Sequence, residues 1–418
     1  MWLKIKPLDV LLFRISKPFG AGESFRAEGV FPPTSIPFIG ALRSRIIAHL
    51  MGTNSDKQLD GDQNEKTITN IPDWIFEEIG TYDNLGPLSI EGPYLVIDDI
   101  NCLPIPRDLM KSNNDNMSEF LSCLQPGFSN WPVITSKPNL EMPLITSASD
   151  YKAESCTSGF LIGKYLENYL TAELSINLIY NEAVSDVEPR LGISLSKDRT
   201  TKKGFIYNVL FNRLRDNAAF WLKLNSKKGN EDSLLPKSGF LALGGESRAA
   251  YFEKVNNENL PESIPTNKSV NELKNSLSQK LTGKKEFKLY LLSPAVFEQG
   301  WLPDFVNNED HTWEPVPGVQ TKLVSAAVGK ALTIGGWDLA KNLPKPINRA
   351  VPAGSVYYFE SKESFSEITA KTIVDTIHMK SIIQNESNNP LIQSAYYRSA
   401  GFGITAVGSW TTKEEYYV

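Results

Sequence analysis

The pattern that most restricts this chain is an ending used twice, in which a glycine-rich turn feeds an apolar strand: LGGESRAAYFEKV at 243–255 and AGFGITAVGSW at 400–410. A helical reading precedes each turn, at 214–225 and at 365–378, where Phe365, Ile368, Ile373, Val374 and Ile377 fall at helical spacing. A chain that closes twice in the order helix, glycine turn, strand reads as two related α+β units. Its 418 residues exceed the size at which one hydrophobic core stops growing, so two domains, or one with large insertions, are expected.

The start fits the same plan. Residues 2 to 14 are rich in Leu, Ile, Val and Phe and suit a strand buried on at least one face. A Gly/Pro-rich stretch, KPFGAGESFRAEGVFPP, breaks that element. A helix is then predicted from Thr34 or Ser35 as N-cap, with Pro37 in its first turn and Gly52 past its end. Ile39, Leu42, Ile46 and Leu50 make its apolar stripe, and Arg43, Arg45 and His49 lie off it. Residues 52–70 read as a polar excursion, 107–158 as a long, weakly patterned insertion, and 256–280 as a polar connection between halves. A second strand begins at Glu286.

No apolar run reaches the roughly 18 to 20 residues of a membrane helix, and Asp9 interrupts any signal-peptide core, so a soluble, cytoplasmic protein is expected. Cys102, Cys123 and Cys156 are scattered and predict neither a disulfide framework nor a thiolate metal site. The net charge of −5 lacks the global basic footprint of a free-standing nucleic-acid binder, so any such role needs positive charge concentrated locally. It is concentrated at 190–203, where Arg190, Lys197, Arg199, Lys202 and Lys203 face Asp198 alone. The flanking segments RLGISLS and GFIYNVLF read as two strands of a hairpin spanning 187–211, with the polar tip KDRTTKK between them. Leu191, Ile193 and Tyr207 are expected to root it. Phe205 and Tyr207 suit base stacking or, as the plainer reading, anchoring in the core.

Gly244 and Gly245 lead into Glu246, Ser247 and Arg248, while Gly401 and Gly403 frame the second turn. Glycine lets backbone N–H groups approach a phosphate closely, and an adjoining Arg adds a bidentate contact. The plainer alternative is a tight turn, and it weighs more for the second turn, whose nearest basic residue is Arg398. Neither turn carries the GK[ST] ending of a P-loop or a GxGxxG, so nucleotide hydrolysis is not indicated. Arg14 and Lys17 flank the first Gly-rich stretch and, with Arg43 and Arg45, offer a second basic group.

Several blocks in fixed order carry a resemblance: PLDVLLFR with KPFGAGES, FPP with GALRSR, LPIPRDL, EPRLGISL with GFIY, LGGESR, GGWDLAKNLPKPINRAVPAGSVYYF and AGFGITAVGSW. Together they resemble the RAMP-superfamily subunit of the type III-B (Cmr) CRISPR effector complex that caps the 5′ tag of the guide RNA. The resemblance implies two ferredoxin-like (RRM-like) α+β domains, 1–258 and 285–418. The first would carry the insertion 107–158 and use the hairpin 187–211 as a protruding thumb. It also implies crRNA as partner, neighbours in the large polymerase-like subunit and the repeated backbone subunit, target RNA as a further candidate, and no cofactor, metal or covalent chemistry. RNA contacts would then fall on Arg14, Lys17, Arg43, Arg45, the five basic residues of the hairpin, the Gly244 to Arg248 turn, and Gly401 and Gly403.

The alternative within the same superfamily is a metal-independent RNA endonuclease with His49 as general acid or base. A third reading is a scaffold that touches no RNA. His49 sits at the far end of its helix from the first Gly-rich stretch. His311, in EDHTW, reads as a loop residue, and His378 as a helix-end residue that caps or faces solvent.

Overall fold

The computed structural model describes residues 1–14, 26–27, 29–53, 71–81, 84–113, 119–127, 140–145, 153–173, 175–195, 201–338, 343–387, 389 and 391–410. Lys17, Lys197 and Arg199 lie outside them, as do the GAGES segment and most of the 52–70 excursion. The architecture is mixed α/β with several antiparallel sheets. In chain order the main elements are β1 (Trp2–Pro7), α1 (Ile36–Thr53), β2 (Leu88–Ile97), β3 (Ile100–Pro104), β4 (Phe160–Ile162), β5 (Leu178–Ile179), β6 (Ser185–Leu195), β7 (Thr201–Leu214), β8 (Ala218–Ser226), β9 (Ser238–Ala242) and β10 (Ala249–Val255). There follow α2 (Asn267–Leu281), β11 (Glu286–Leu291), β12 (Thr312–Val316), β13 (Val319–Ala327), β14 (Val356–Ser361), α3 (Glu367–Ile377), β15 (Lys380–Ser381) and β16 (Ile404–Gly408). The first sheet has the order β5-β4-β3-β2-β8-β1-β10-β9 and the second β12-β13-β14-β11-β16-β15.

Strand alternation explains how the first sheet is covered. Leu3 and Ile5 of β1, Phe220 and Leu222 of β8 and Phe252 of β10 point to the face covered by α1, whose stripe Ile39, Leu42 and Ile46 is fully buried. One apolar cluster takes in these residues together with Phe287, Leu289, Phe359 and Val407 of the second sheet.

The 214–225 segment is a turn and strand, not a helix: β8 pairs with β1 on one side and β2 on the other. Its apolar residues are buried on both faces, Trp221 and Ala219 under the 260 to 264 segment, and a two-sided apolar run cannot be told from a helix by periodicity. The first glycine turn therefore follows strand β9 rather than a helix, and only the second half keeps a helix before its last strand. The 256–280 connection also differs, since it folds into α2. Thr266 forms a capping box with Ser269, and Leu277 and Leu281 are buried. The 107–158 insertion is likewise structured among its described residues, with a three-stranded sheet of Leu109–Asn113, Glu119–Cys123 and Ala153–Ser155.

That insertion enters the interior through Asp108, which is fully buried. Its carboxylate accepts hydrogen bonds from Tyr169 (2.9 Å) and Tyr358 (2.6 Å), and the Lys288 ammonium stands 3.7 Å away, over the Tyr169 ring. Asp108 thus joins the insertion, the helix Leu166–Leu170, β11 and β14 in one buried polar node. The neighbouring Arg107 N–H donates to the Gly354 carbonyl at 2.8 Å.

Candidate nucleic-acid interface

The hairpin β6/β7 is paired from Ser185 with Leu214 to Leu195 with Thr201, with a register shift between Ile193 and Leu195. Its root is fixed from two directions. Arg26–Ala27 adds a short parallel strand beside Asn208 and Val209, and Leu11 exchanges backbone hydrogen bonds with Asn212 (2.8 and 2.9 Å). Val209 and Phe211 pack on Val10 and Leu12 in a small apolar cluster of their own. Leu191 does not root the hairpin, because it lies on the opposite face, 76% exposed, beside exposed Val187. Alternation places Val209 and Phe211 inward and Leu191 outward, and the Phe205, Tyr207 and Ile193 side chains lie outside the described residues.

Over Phe211 the sequence-distant charges converge. The Arg190 and Arg248 guanidinium carbons lie 5.2 and 4.9 Å from its ring centroid. Arg190 pairs with Glu188 (2.6 Å) and Asp9 (3.5 Å). Arg213 pairs with the same two carboxylates, each at 2.8 Å. Arg248 pairs with Glu246 (2.7 Å) and Asp9 (3.5 Å). Asp9, at the exit of β1, therefore bridges the hairpin and the glycine turn. Burial pushes its carboxyl up, but hydrogen bonds from Arg213 and the Val10 amide, with the Arg190 charge, outweigh this and hold it below the ordinary value. Arg190 and then Arg213 likewise hold Glu188 low. The sequence reading singled out neither Arg213 nor Asp9 for this cluster; the i, i+2 pair Glu188 and Arg190 on one strand face was the available signal.

The first glycine turn is shaped by its contact with this root. Gly244 sits at φ 77°, and a Cβ there would come within 2.6 Å of the Leu12 carbonyl. Gly245 N–H donates to that same carbonyl at 2.7 Å. The left-handed positions are Gly244, Glu246 and Ser247, so Gly244 is the residue that must be glycine for its φ, not Gly245. Glu246 and Ser247 are exposed. The second turn is different: Gly401, Phe402 and Gly403 are buried, and Arg398 donates to the Ile383 carbonyl at 2.7 Å.

The remaining basic residues spread out. Arg14 is exposed and forms a bridge with Gly29. Arg43 donates to the Gly80 carbonyl (3.0 Å) and to that of Thr81, tying α1 to the helix Asp73–Ile79. Arg45 lies against Gly239 of β9. Lys202 and Lys203 are on β7 near its tip-proximal end. His49 is eleven residues from Phe38, about 16 Å along the helix, and Phe38 is the α1 residue that stacks on Phe13 beside Gly244. Burial, then Arg45 and Lys254, lower the His49 pKa.

His378 does not face solvent. It is fully buried at the end of α3, and its Nδ1 accepts a hydrogen bond from Val407 N–H at 3.2 Å. His311 is buried in a turn at φ 60°. Among the described residues no group of three or more His, Cys, Asp or Glu is placed to hold a metal ion, and no helix is long and apolar enough to cross a membrane.

Comparison with solved structures gives a chain of the cryo-EM structure of the Type III-B Cmr-beta bound to cognate target RNA and AMPPnP at 16% identity. It covers 98% of this chain and 99% of the other, with a TM-score of 0.49. A chain of the Csm3-Csm4 subcomplex in the type III-A CRISPR-Cas interference complex is 13% identical over 87% of this chain and 94% of that one, with a TM-score of 0.30. No curated protein matches by sequence. The assignment rests on the family comparison, in which the model described as CRISPR-associated protein (Cas_Cmr3) matches residues 3–410, and the chain therefore belongs to the Cas_Cmr3 family.

Proposed function

We propose that this chain is a non-catalytic subunit that holds the 5′ tag of a guide RNA in a type III-B effector complex, at the surface shared by the first glycine turn and the hairpin root. It would bridge the large polymerase-like subunit and the repeated backbone subunit there. The observation that carries the reading is the Phe211 cluster, where Arg190 and Arg248 flank one ring and Asp9 links strand exit, hairpin and turn. The pairs are partly exposed, their side chains between 25% and 47% accessible, and ion pairs open to solvent contribute only about 0 to 1 kcal/mol each. A phosphate can therefore replace a carboxylate on a guanidinium at small cost, with bidentate geometry already favoured. The positioned arginines, rather than net charge, make the site.

Strand order supports two ferredoxin-like units. In β10-β1-β8-β2 and in β16-β11-β14-β13 the strands stand as fourth, first, third and second of a β-α-β-β-α-β unit. The first unit keeps its first helix, α1, and the second keeps its second, α3. The hairpin β6/β7, inserted before the third strand of the first unit, is the thumb in this reading.

Arg248→Ala tests the proposal. Guide retention by the assembled complex is expected to weaken by about 1 to 3 kcal/mol, the worth of a charge-assisted contact. Unchanged retention in a folded Arg248→Ala complex would return the turn to a plain connection. The endonuclease reading has its own check: repeat-RNA cleavage by the purified chain, lost in His49→Ala, would overturn the non-catalytic assignment.

A further inference from the structure

The first sheet has an outer face, opposite α1, and the described residues cover only part of it. Alternation puts Trp2, Lys4 and Lys6 of β1, Trp221 of β8, Tyr251 of β10 and Phe240 of β9 on that face. The 260 to 264 segment roofs one half, burying Trp2 and Trp221 with Ile264. Ser263 pins the roof, donating to the Asp99 carbonyl at 2.6 Å and accepting from Asn101 at 3.3 Å. Beyond the roof, among the described residues, the face lies open. Phe240 is 60% exposed and meets Tyr251 edge-on, with ring centroids 5.6 Å apart. Lys6 stands directly across from Tyr251 in register, is exposed, and has no carboxylate partner among the described residues. Lys4 lies over the Trp221 ring at 5.2 Å.

We propose that this open half is a base-stacking platform for single-stranded RNA, with Phe240 and Tyr251 receiving a base and Lys6 its phosphate. An exposed ring beside an unneutralised ammonium matches a nucleotide's two parts, a π-face and an anion, better than it matches the apolar patch of a protein partner. The row is also continuous with the glycine turn. Leu8, 60% exposed, follows β1 on the same face, and its N–H donates to the carbonyl of Ala249, the residue after Arg248. Arg248 alternates to the other face, with Ala250 and Phe252, so RNA held there would reach the platform by crossing the edge of the β9/β10 pair. The platform deepens the reading of the chain as a guide holder and rests on it for the identity of the strand.

The test uses the full chain at low salt with a labelled ten-nucleotide oligouridylate and a duplex of the same length as probes. Phe240→Ala is expected to keep the wild-type melting profile and weaken the single strand about tenfold, in the range of one lost base–aromatic stack. Phe240→Trp should retain binding, and Lys6→Gln should reduce the salt slope by about 0.7. Wild-type affinity in Phe240→Ala, an equal loss with the duplex, or a defect confined to association with a neighbouring subunit would each overturn the platform. Arg248→Ala run in parallel separates the two readings: binding lost there but kept in Phe240→Ala removes the platform alone, and the reverse removes the turn alone.

Discussion

At the first glycine turn Gly244 sits at φ 77°, and at the second Gly401 sits at φ 81°. Each is glycine for the same reason, since a Cβ would come within 2.6 Å of the Leu12 carbonyl in one and 2.9 Å of the Ile90 carbonyl in the other. What surrounds them differs. The first turn ends in exposed Glu246 and Ser247 and in Arg248, whose charge is shared with the hairpin root. The second is buried against β2, and Arg398, the basic residue nearest to it in sequence, donates to a backbone carbonyl. A shared backbone device thus says nothing about ligand contact. Exposure does, and Gly401 and Gly403 are buried, where a Cβ at Gly401 would meet the Ile90 carbonyl of the first sheet.

The comparison sorts substitutions into those that cost stability and those that cost binding. The largest stability effect is expected at the buried node. Asp108→Asn leaves the Lys288 ammonium buried without its counter-charge, and a loss of about 3 to 5 kcal/mol is expected in urea denaturation. RNA affinity per folded molecule should not change; a drop in affinity without loss of stability would break the division.

Next comes acid. Burial, aided by the Lys274 charge, lowers the His378 pKa from 6.5 to about 4. The unfolded chain therefore takes up this proton first. Stability from this residue is intact above pH 6.5 and falls as the pH drops towards 4, by roughly 3 kcal/mol in all. Urea midpoints measured from pH 7 to 4 should show this slope and lose most of it in His378→Gln. An unchanged slope in the variant would contradict the buried neutral assignment.

The smallest pair of effects compares the turns directly. Gly401→Ala and Gly244→Ala should each lose about 1 to 2 kcal/mol from the left-handed backbone, plus the cost of the close carbonyl. Only Gly244→Ala should also weaken guide retention, because it displaces Arg248. Equal retention defects in both would merge the two turns into one kind of site.

How much of this was legible follows from the range of the interactions. The α1 stripe and α3 could be read because their signals are local and periodic, and β11 because a short apolar run follows a polar stretch and begins at Glu286. The strand β8 was not, since burial on both of its faces erases the alternation that marks a strand. The charged cluster was half legible. Arg190 and Arg248 stood out as basic residues beside a hairpin and a turn, but their pairing through Asp9 joins positions up to 239 residues apart. Asp108 was invisible as a buried group, because its tyrosine and lysine partners come from three other parts of the chain. Exposure of Leu191 and burial of His378 depend on what packs above each residue, which no local pattern records.

The central claim is that the first turn and the hairpin root, not the second turn, hold the 5′ end of the guide. A crosslink map of a guide carrying a photoreactive nucleotide in its 5′ tag, made on the assembled complex, tests it most directly. The account predicts crosslinked peptides containing 244 to 248 and the β6/β7 hairpin, and none containing 400 to 404. Crosslinks to the second turn, or to neighbouring subunits alone, would contradict it.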